Sequence, residues 1–318
     1  MQKFYRSIQG ITFGFYTFII VILLTWGLEN TYAQAAGPHT KKKGDFVTQD
    51  EKEFEKIKKL RVKTRTKFTG AYLVIDKIPT DLKIDTKESF NKKGLITQML
   101  NYNAYGKVEA SYNFYYDSKE NPIKATSTAS KGRSNLQLSK YDSRGNEIER
   151  RLIESGRRKS ETKSVFKYNK EGDLIVTENY TNGKLTDVQT ISYKNGKRDT
   201  TIIKDPAGNA GFYIMPEFDS TGKPIREIRK NTEASLVFTY KYDTKGNLIE
   251  MIDNESKRNY TFDDNNNVTE YKMYLLDGRR QIRLKYNYNS RGLQSDITRF
   301  DNTEKPIVYT KFEYEYYK

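Results

Sequence analysis

The chain has 318 residues, a formal net charge of +15, one His and no Cys. Without cysteine there is no disulfide framework, thiolate zinc site, iron–sulfur cluster, cysteine nucleophile or N-terminal lipid-bearing cysteine. With His39 as the single imidazole, no mechanism can use two of them. The 25 Tyr and 16 Phe favour strands over helices.

The first 33 residues differ from all that follow. Lys3 and Arg6 precede an uncharged stretch, Ile11–Leu28, and Thr31-Tyr32-Ala33 offers small residues at the −3 and −1 positions of a cut before Gln34. This three-part pattern predicts a secretory signal peptide at 1–33, with an uncleaved anchor as the rival reading. On either reading the remainder is exported, to the periplasm, the outer surface or the medium. Cleavage leaves a net charge of +14, because Lys3, Arg6 and Glu29 depart with the signal. A cysteine-free exported chain fits a bacterial envelope.

Residues 34–67 read as a charged linker and a short helix. Thr48 and Glu51 form a capping box, and Phe54, Ile57 and Leu60 follow at helical spacing. Asp50, Glu51, Glu53 and Glu55 lead while Lys56, Lys58 and Lys59 trail, the order that the helix dipole favours. Lys41, Lys42 and Lys43 form a candidate basic arm for an acidic polymer, and His39 beside them reads as a solvated bystander. The run AYLVI at 71–75 reads as a buried strand.

Residues 68–318 form the expected β-hairpin repeat domain. An aromatic, then Asp or Asn, two variable residues and Gly recur as FNKKG at 90, YNAYG at 102, YDSRG at 141, YNKEG at 168, FDSTG at 218, YDTKG at 242 and YNSRG at 288. Worn copies stand at 116, 262 and 300, a shorter one at 193, and many successive starts lie near 25 residues apart. Such a period is an internal repeat. Asx at the first turn position hydrogen-bonds the backbone two residues on, and Gly at the fourth accepts positive φ, so each phrase predicts a hairpin turn. The strands agree: Leu236, Phe238, Tyr240 and Tyr242 alternate with polar neighbours, as do Ile282, Leu284, Tyr286 and Tyr288, and Phe312, Tyr314 and Tyr316. Period two with one apolar face means half-buried antiparallel strands. The expected fold is all-β: stacked antiparallel hairpin repeats forming a long curved or open sheet, with one short N-terminal helix.

The phrase with its following small polar and apolar residues (YDSRGNEI, YDTKGNLI, YNKEGDLI) resembles the YD repeats of RHS-type secreted bacterial proteins over roughly residues 90–318. The resemblance implies curved sheets of stacked hairpins, and it admits a shell-like or immunity-type partner of a secreted toxin. The dense charge of 148–163 and the terminal Lys318 argue against an outer-membrane barrel.

No GxSxG, HExxH, Walker-type or GxGxxG motif is present. Glu313 and Glu315 read as the polar side of a strand, and Asp263–Asn267 as a polar turn in preference to a calcium loop. Neither cofactor, metal nor catalysis is expected, although an envelope enzyme using carboxylates and Tyr stays open. The favoured reading is a non-catalytic envelope or surface protein that binds or organises glycan or protein. Tyr105, Tyr115 and Tyr317 are candidates for stacking on sugar, with Lys41, Lys42 and Lys43 supplying charge. Expected partners are an acidic glycan, an envelope polymer or a protein. Export argues against nucleic acid, and no membrane span is expected once the signal is removed.

Overall fold

The recurring phrase has one construction. At Asp142-Ser143-Arg144-Gly145-Asn146 the Gly145 amide donates to the Asp142 carbonyl (3.1 Å) and the Asp142 amide to the Asn146 carbonyl (2.9 Å). Asp142 Oδ1 accepts from the amides of Arg144 (2.9 Å) and Asn146 (2.8 Å), which fixes the turn through its side chain. Gly145 stands at φ +86°, where a Cβ is strained. The same pair of side-chain bonds recurs at Asn91, Asn103, Asp117, Asp219, Asn289 and Asp301. In the worn copies Glu120, Asn266 and Glu304 take the positive-φ place of glycine.

The computed structural model describes residues 49–71, 79, 81–130, 132–156 and 159–318. The expected signal peptide, His39, Lys41, Lys42, Lys43 and all but the first residue of the AYLVI run lie outside them. Helix α1 (Gln49–Lys59) leads into β1 (Val62–Ala71), β2 (Lys83–Phe90), β3 (Ile96–Tyr102), β4 (Val108–Tyr116), β5 (Pro122–Ala129), β6 (Ser134–Tyr141) and β7 (Glu147–Ser155). There follow β8 (Ser160–Tyr168), β9 (Leu174–Thr181), β10 (Lys184–Lys194), β11 (Lys197–Lys204), β12 (Ala210–Phe218), β13 (Pro224–Lys230) and β14 (Ser235–Tyr242). The series ends with β15 (Leu248–Ile252), β16 (Ser256–Phe262), β17 (Val268–Leu275), β18 (Arg280–Tyr288), β19 (Gln294–Phe300) and β20 (Pro306–Tyr316). The 12-residue spacing between the copies at 90 and 102 is one strand with its turn, and the spacing near 25 is a full hairpin that returns to the same end.

All twenty strands of the described residues belong to one sheet. β1 pairs antiparallel with β2, Thr64 opposite Ser89, and also with β20, Thr64 opposite Glu315. The first strand therefore bonds the last, and the sheet closes on itself with the topology of a barrel. This corrects the expectation of a long curved or open sheet of stacked repeats. Unpaired N–H and C=O groups on two terminal strands are a liability that mutual pairing removes. It also corrects the fold drawn from the YD-repeat resemblance. Asx-x-x-Gly answers a local problem, how to reverse an antiparallel strand, and so recurs in a closed meander as readily as in stacked repeats.

Two compact units divide the chain: unit 1 includes Asn113–Glu217 and Ile228–Leu236, and unit 2 includes Gly44–Tyr112, Phe218–Glu227 and Val237–Lys318. In unit 2, α1 buries Phe54 and Ile57 together with Val62, Phe90, Ile96, Met99 and Leu293. The Phe54 and Phe90 rings meet edge to face at 6.4 Å. In unit 1 the buried residues are more polar: Gln137, Ser139, Thr177, Asn179 and Thr201 accompany Phe114, Ala125 and Ile191.

Tyrosines at the ends of outgoing strands do more than fill a core face. The hydroxyls of Tyr141, Tyr168 and Tyr193 donate to the carbonyls of Pro122 (3.0 Å), Glu147 (2.8 Å) and Leu174 (3.0 Å) in unit 1. Those of Tyr242, Tyr288 and Tyr314 reach Pro224 (2.9 Å), Val268 (2.8 Å) and Gln294 (2.9 Å) in unit 2. Every acceptor opens a return strand, so each phenol satisfies a carbonyl at the start of the preceding hairpin's return strand. Burial pushes the Tyr168 and Tyr242 phenols up to about 12.

Acid should loosen unit 2 at one identifiable carboxylate. Ion pairs with Lys241 and then Lys257 (2.7 and 2.6 Å) hold Glu250 at about 2, against an ordinary value of 4.5. A depressed carboxylate contributes stability above its unfolded pKa and loses it as pH falls through the folded one. Glu250→Gln should therefore flatten the pH dependence of the melting temperature between roughly pH 5 and 2. An unchanged acid limb in the variant would refute this role.

Candidate functional site

Two places concentrate charged and aromatic groups. The first lies beneath α1 in unit 2. Glu53 and Ile57 share one helix face at a spacing of four, so the buried stripe carries a carboxylate into the core. Glu53 is 2 % exposed and Glu88 5 %, which leaves no route for a substrate. Glu53 Oε1 accepts from the Gln294 amide (3.2 Å) and the Tyr314 hydroxyl (3.1 Å), while its Oε2 has no partner among the described residues. Arg65 Nε donates to Glu88 at 2.5 Å, and its guanidinium stands over the Phe54 and Phe312 rings at 5.6 and 6.0 Å. Burial disfavours the charged Arg65, but the Glu88 carboxylate outweighs it and the net shift is upward. Burial, then the charge of Glu53, drives the Tyr314 phenol far above its usual range. This closed constellation fastens α1 to the sheet.

Lys52 and Lys56, on another face of α1, reach the turns. Lys56 Nζ donates to Asn267 Oδ1 (2.6 Å) and to the Gly292 carbonyl (2.7 Å). Lys52 Nζ donates to Asn247 Oδ1 (3.3 Å) and the Asn266 carbonyl (3.2 Å). The turn weighed as a calcium loop, Asp263–Asn267, thus holds lysine ammonium groups of the same chain. Glu313 pairs with Lys311 at 2.8 Å, and Glu315 accepts from Thr64 Oγ1 at 2.9 Å, so each carboxylate has a structural partner.

The second place is an exposed face of unit 1. Tyr115 is 46 % exposed, and Lys124 Nζ lies 4.9 Å from its ring centroid. Ile123, Leu138 and Ile148 are exposed in the same unit. Phe114, the next residue, is buried, as alternation along β4 requires. Apart from this, the exposed face of unit 1 is ionic: Lys140 pairs with Glu149 (3.0 Å), Arg151 with Glu149 (3.0 Å), and Lys167 with Glu178. Such a face suits water and not a lipid-facing band.

The other candidates fall elsewhere. Tyr105 belongs to unit 2, is 88 % exposed and sits in the turn governed by Asn103. Tyr317 is half-buried; its hydroxyl donates to the Phe90 carbonyl (2.6 Å) and its amide to that of Arg61 (2.9 Å). Lys124 was missed in the sequence reading, although Tyr and Lys at the facing ends of a predicted hairpin were a usable signal. Glu53 was missed because it sits in an acidic run that reads as solvated. Among the described residues no group of three or more His, Cys, Asp or Glu could hold a metal ion, and no helix is long and apolar enough to cross a membrane.

No known family profile matches the chain, and no curated protein does. Among solved structures it is similar to a porin-like protein from Bacteroides uniformis, at 10 % identity and a TM-score of 0.35, covering 80 % of this chain and 97 % of that one. A porin-like protein from Bacteroides vulgatus gives 12 % identity and a TM-score of 0.30, over 80 % and 98 %. The Photorhabdus luminescens Tc holotoxin pore gives 10 % identity and 0.30 over 78 % of this chain, which spans only 18 % of that chain. At these TM-scores the description of this fold rests on its own strand pairing. The sheet closed through β1 and β20 corrects the expectation drawn from the YD-repeat resemblance.

Proposed function

We propose that this is an exported, non-catalytic binding or structural module of a bacterial envelope, and that the exposed face of unit 1 around Tyr115 contacts an acidic glycan. The observation that supports it is Tyr115 with Lys124 beside it. An exposed ring offers an apolar platform to the C–H face of a sugar, and an ammonium 4.9 Å from that ring meets a carboxylate or sulfate on the same sugar. The tripartite N-terminus supports export, and the net charge of +15 supports an acidic partner.

Binding to immobilised heparin and to purified envelope polysaccharide, measured between 50 and 150 mM salt, tests the reading. Affinity should fall steeply over that range, because the Debye length shortens to about 8 Å. Tyr115→Ala and Lys124→Ala should each weaken binding about threefold to tenfold, the scale of one exposed aromatic or cationic contact. Salt-insensitive binding, or none, overturns the proposal.

A further inference from the structure

The chain seats its own ammonium groups in one recurrent place. Lys56 Nζ bonds Asn267 Oδ1 and the Gly292 carbonyl and stands 5.4 Å from the Tyr288 ring centroid. Lys52 Nζ repeats this with Asn247 Oδ1, the Asn266 carbonyl and the Phe262 ring at 5.7 Å. Lys223, which itself holds the fifth position of its turn in place of Asn, sets its Nζ 5.3 Å from the Tyr242 ring and against Gly246. In the first two cases the parts are alike: Asn at the fifth position of one turn, and from the next turn the carbonyl of its fourth residue and the aromatic that precedes it. An amide oxygen, a carbonyl and a π-face suit a compact cation with three donors.

Unit 1 has the same parts between turns 117–121 and 142–146, namely Asn121, Gly145 and Tyr141. An open groove of about 530 Å³ lies beside Asn121 and Tyr141, lined among others by Asp117, Lys119 and Asp142. Asn121 is 3 % exposed, and its Nδ2 donates to Asp117 Oδ2 (2.9 Å), as Asn267 Nδ2 does to Asp263 Oδ2 (2.9 Å). This turns Asn121 Oδ1 toward Gly145, 3.9 Å from where a Cβ on that glycine would stand. That oxygen accepts no hydrogen bond among the described residues, whereas Asn267 Oδ1 accepts from Lys56. Asp117 and Asp142 flank the groove; burial works to raise both, but hydrogen bonds from Asn121 and Asn146 outweigh it and keep them ionised at neutral pH. Lys119 and Lys140 are the cations that face the same groove, and Lys119 Nζ is engaged with the Ser143 carbonyl at 3.2 Å.

We propose that the crevice formed by Asn121, Gly145 and Tyr141 binds a primary alkylammonium group of the kind that a lysine side chain carries. The site is separate from the glycan contact at Tyr115 and stands or falls without it. Guanidinium is a poorer ligand, because its planar fork demands paired acceptors that this crevice does not present.

The test uses the full chain and amide chemical shifts at 117–121 and 142–146. Probes are Nα-acetyl-lysine N-methylamide, n-butylamine and the Nζ-acetylated lysine analogue. The first should shift these amides saturably, and the acetylated analogue should not. Equal binding of n-butylamine makes a free amine a sufficient source; preference for the lysine derivative points to a lysine of a partner protein. Asn121→Ala should weaken binding about tenfold, the scale of a hydrogen bond to a charged group, with its melting transition recorded to confirm folding. Should that variant fail to fold, the neutral analogue still decides. Equal shifts from the acetylated and free amines, or unaltered affinity in folded Asn121→Ala, would overturn the site.

Discussion

Arg65→Met should lower the unfolding free energy by about 3–5 kcal/mol, the largest loss expected of any single substitution in unit 2. Among the described residues the guanidinium is the cation that pairs with Glu88, at 2.5 Å, and it lies close enough to Glu53 for that carboxylate's charge to act on it. Its own side chain is 15 % exposed and that of Glu88 7 %, so solvent cannot take its place. Removing it leaves the Glu88 carboxylate buried without its paired cation. The cost belongs to the broken pair and not to the pair's intrinsic worth, so Arg65→Met with Glu88→Met should recover much of the loss. Urea unfolding measures both variants. A single-variant loss below about 1 kcal/mol would show that the pair is solvated and that α1 is fastened by its apolar contacts alone.

Gly94→Ala should cost about 3 kcal/mol, against about 1 kcal/mol for Gly172→Ala, although the two glycines hold the same turn position. Both have positive φ, +79° and +88°, and so share the backbone strain. They differ in surroundings. A Cβ on Gly94 would stand 2.6 Å from Lys58 Cα, in the backbone of α1, whereas one on Gly172 meets nothing within 4 Å. A helix backbone cannot yield as the tip of a flexible side chain can, so α1 must lift. Limited proteolysis should then cut Gly94→Ala within 49–59 faster than the parent and leave Gly172→Ala unchanged there. Equal melting temperatures for the two variants would refute the close approach.

These two residues mark where sequence reasoning reached its limit. Turn chemistry was legible because its causes lie within five residues: Asp142 bonds its own neighbours, and Gly145 answers a local demand for positive φ. Alternation along 236–242, 282–288 and 312–316 was legible for the same reason, since the period of two belongs to the strand. The helix at 49–59 announced itself through Phe54 and Ile57. That Glu53 would be buried was not legible, because Gln294, Tyr314 and Arg65, which make its burial tolerable, arrive from other strands. Nor was the use of Tyr in place of Phe before the turns, which depends on a carbonyl 18 to 21 residues upstream for Tyr141, Tyr168, Tyr193, Tyr242 and Tyr288.

By itself the sequence determined the hairpins, their turns, the helix and the strand-rich composition, all of them products of short-range sterics and hydrogen bonding. Whether those hairpins end in two free edges or in none was decided by tertiary structure. The deciding contact joins Thr64 of β1 to Glu315 of β20, partners separated by almost the whole described chain. A repeat phrase cannot encode that choice, because each copy specifies only how to turn. Closure depends on the summed twist and register of twenty strands and on two terminal strands whose unpaired backbone groups find each other.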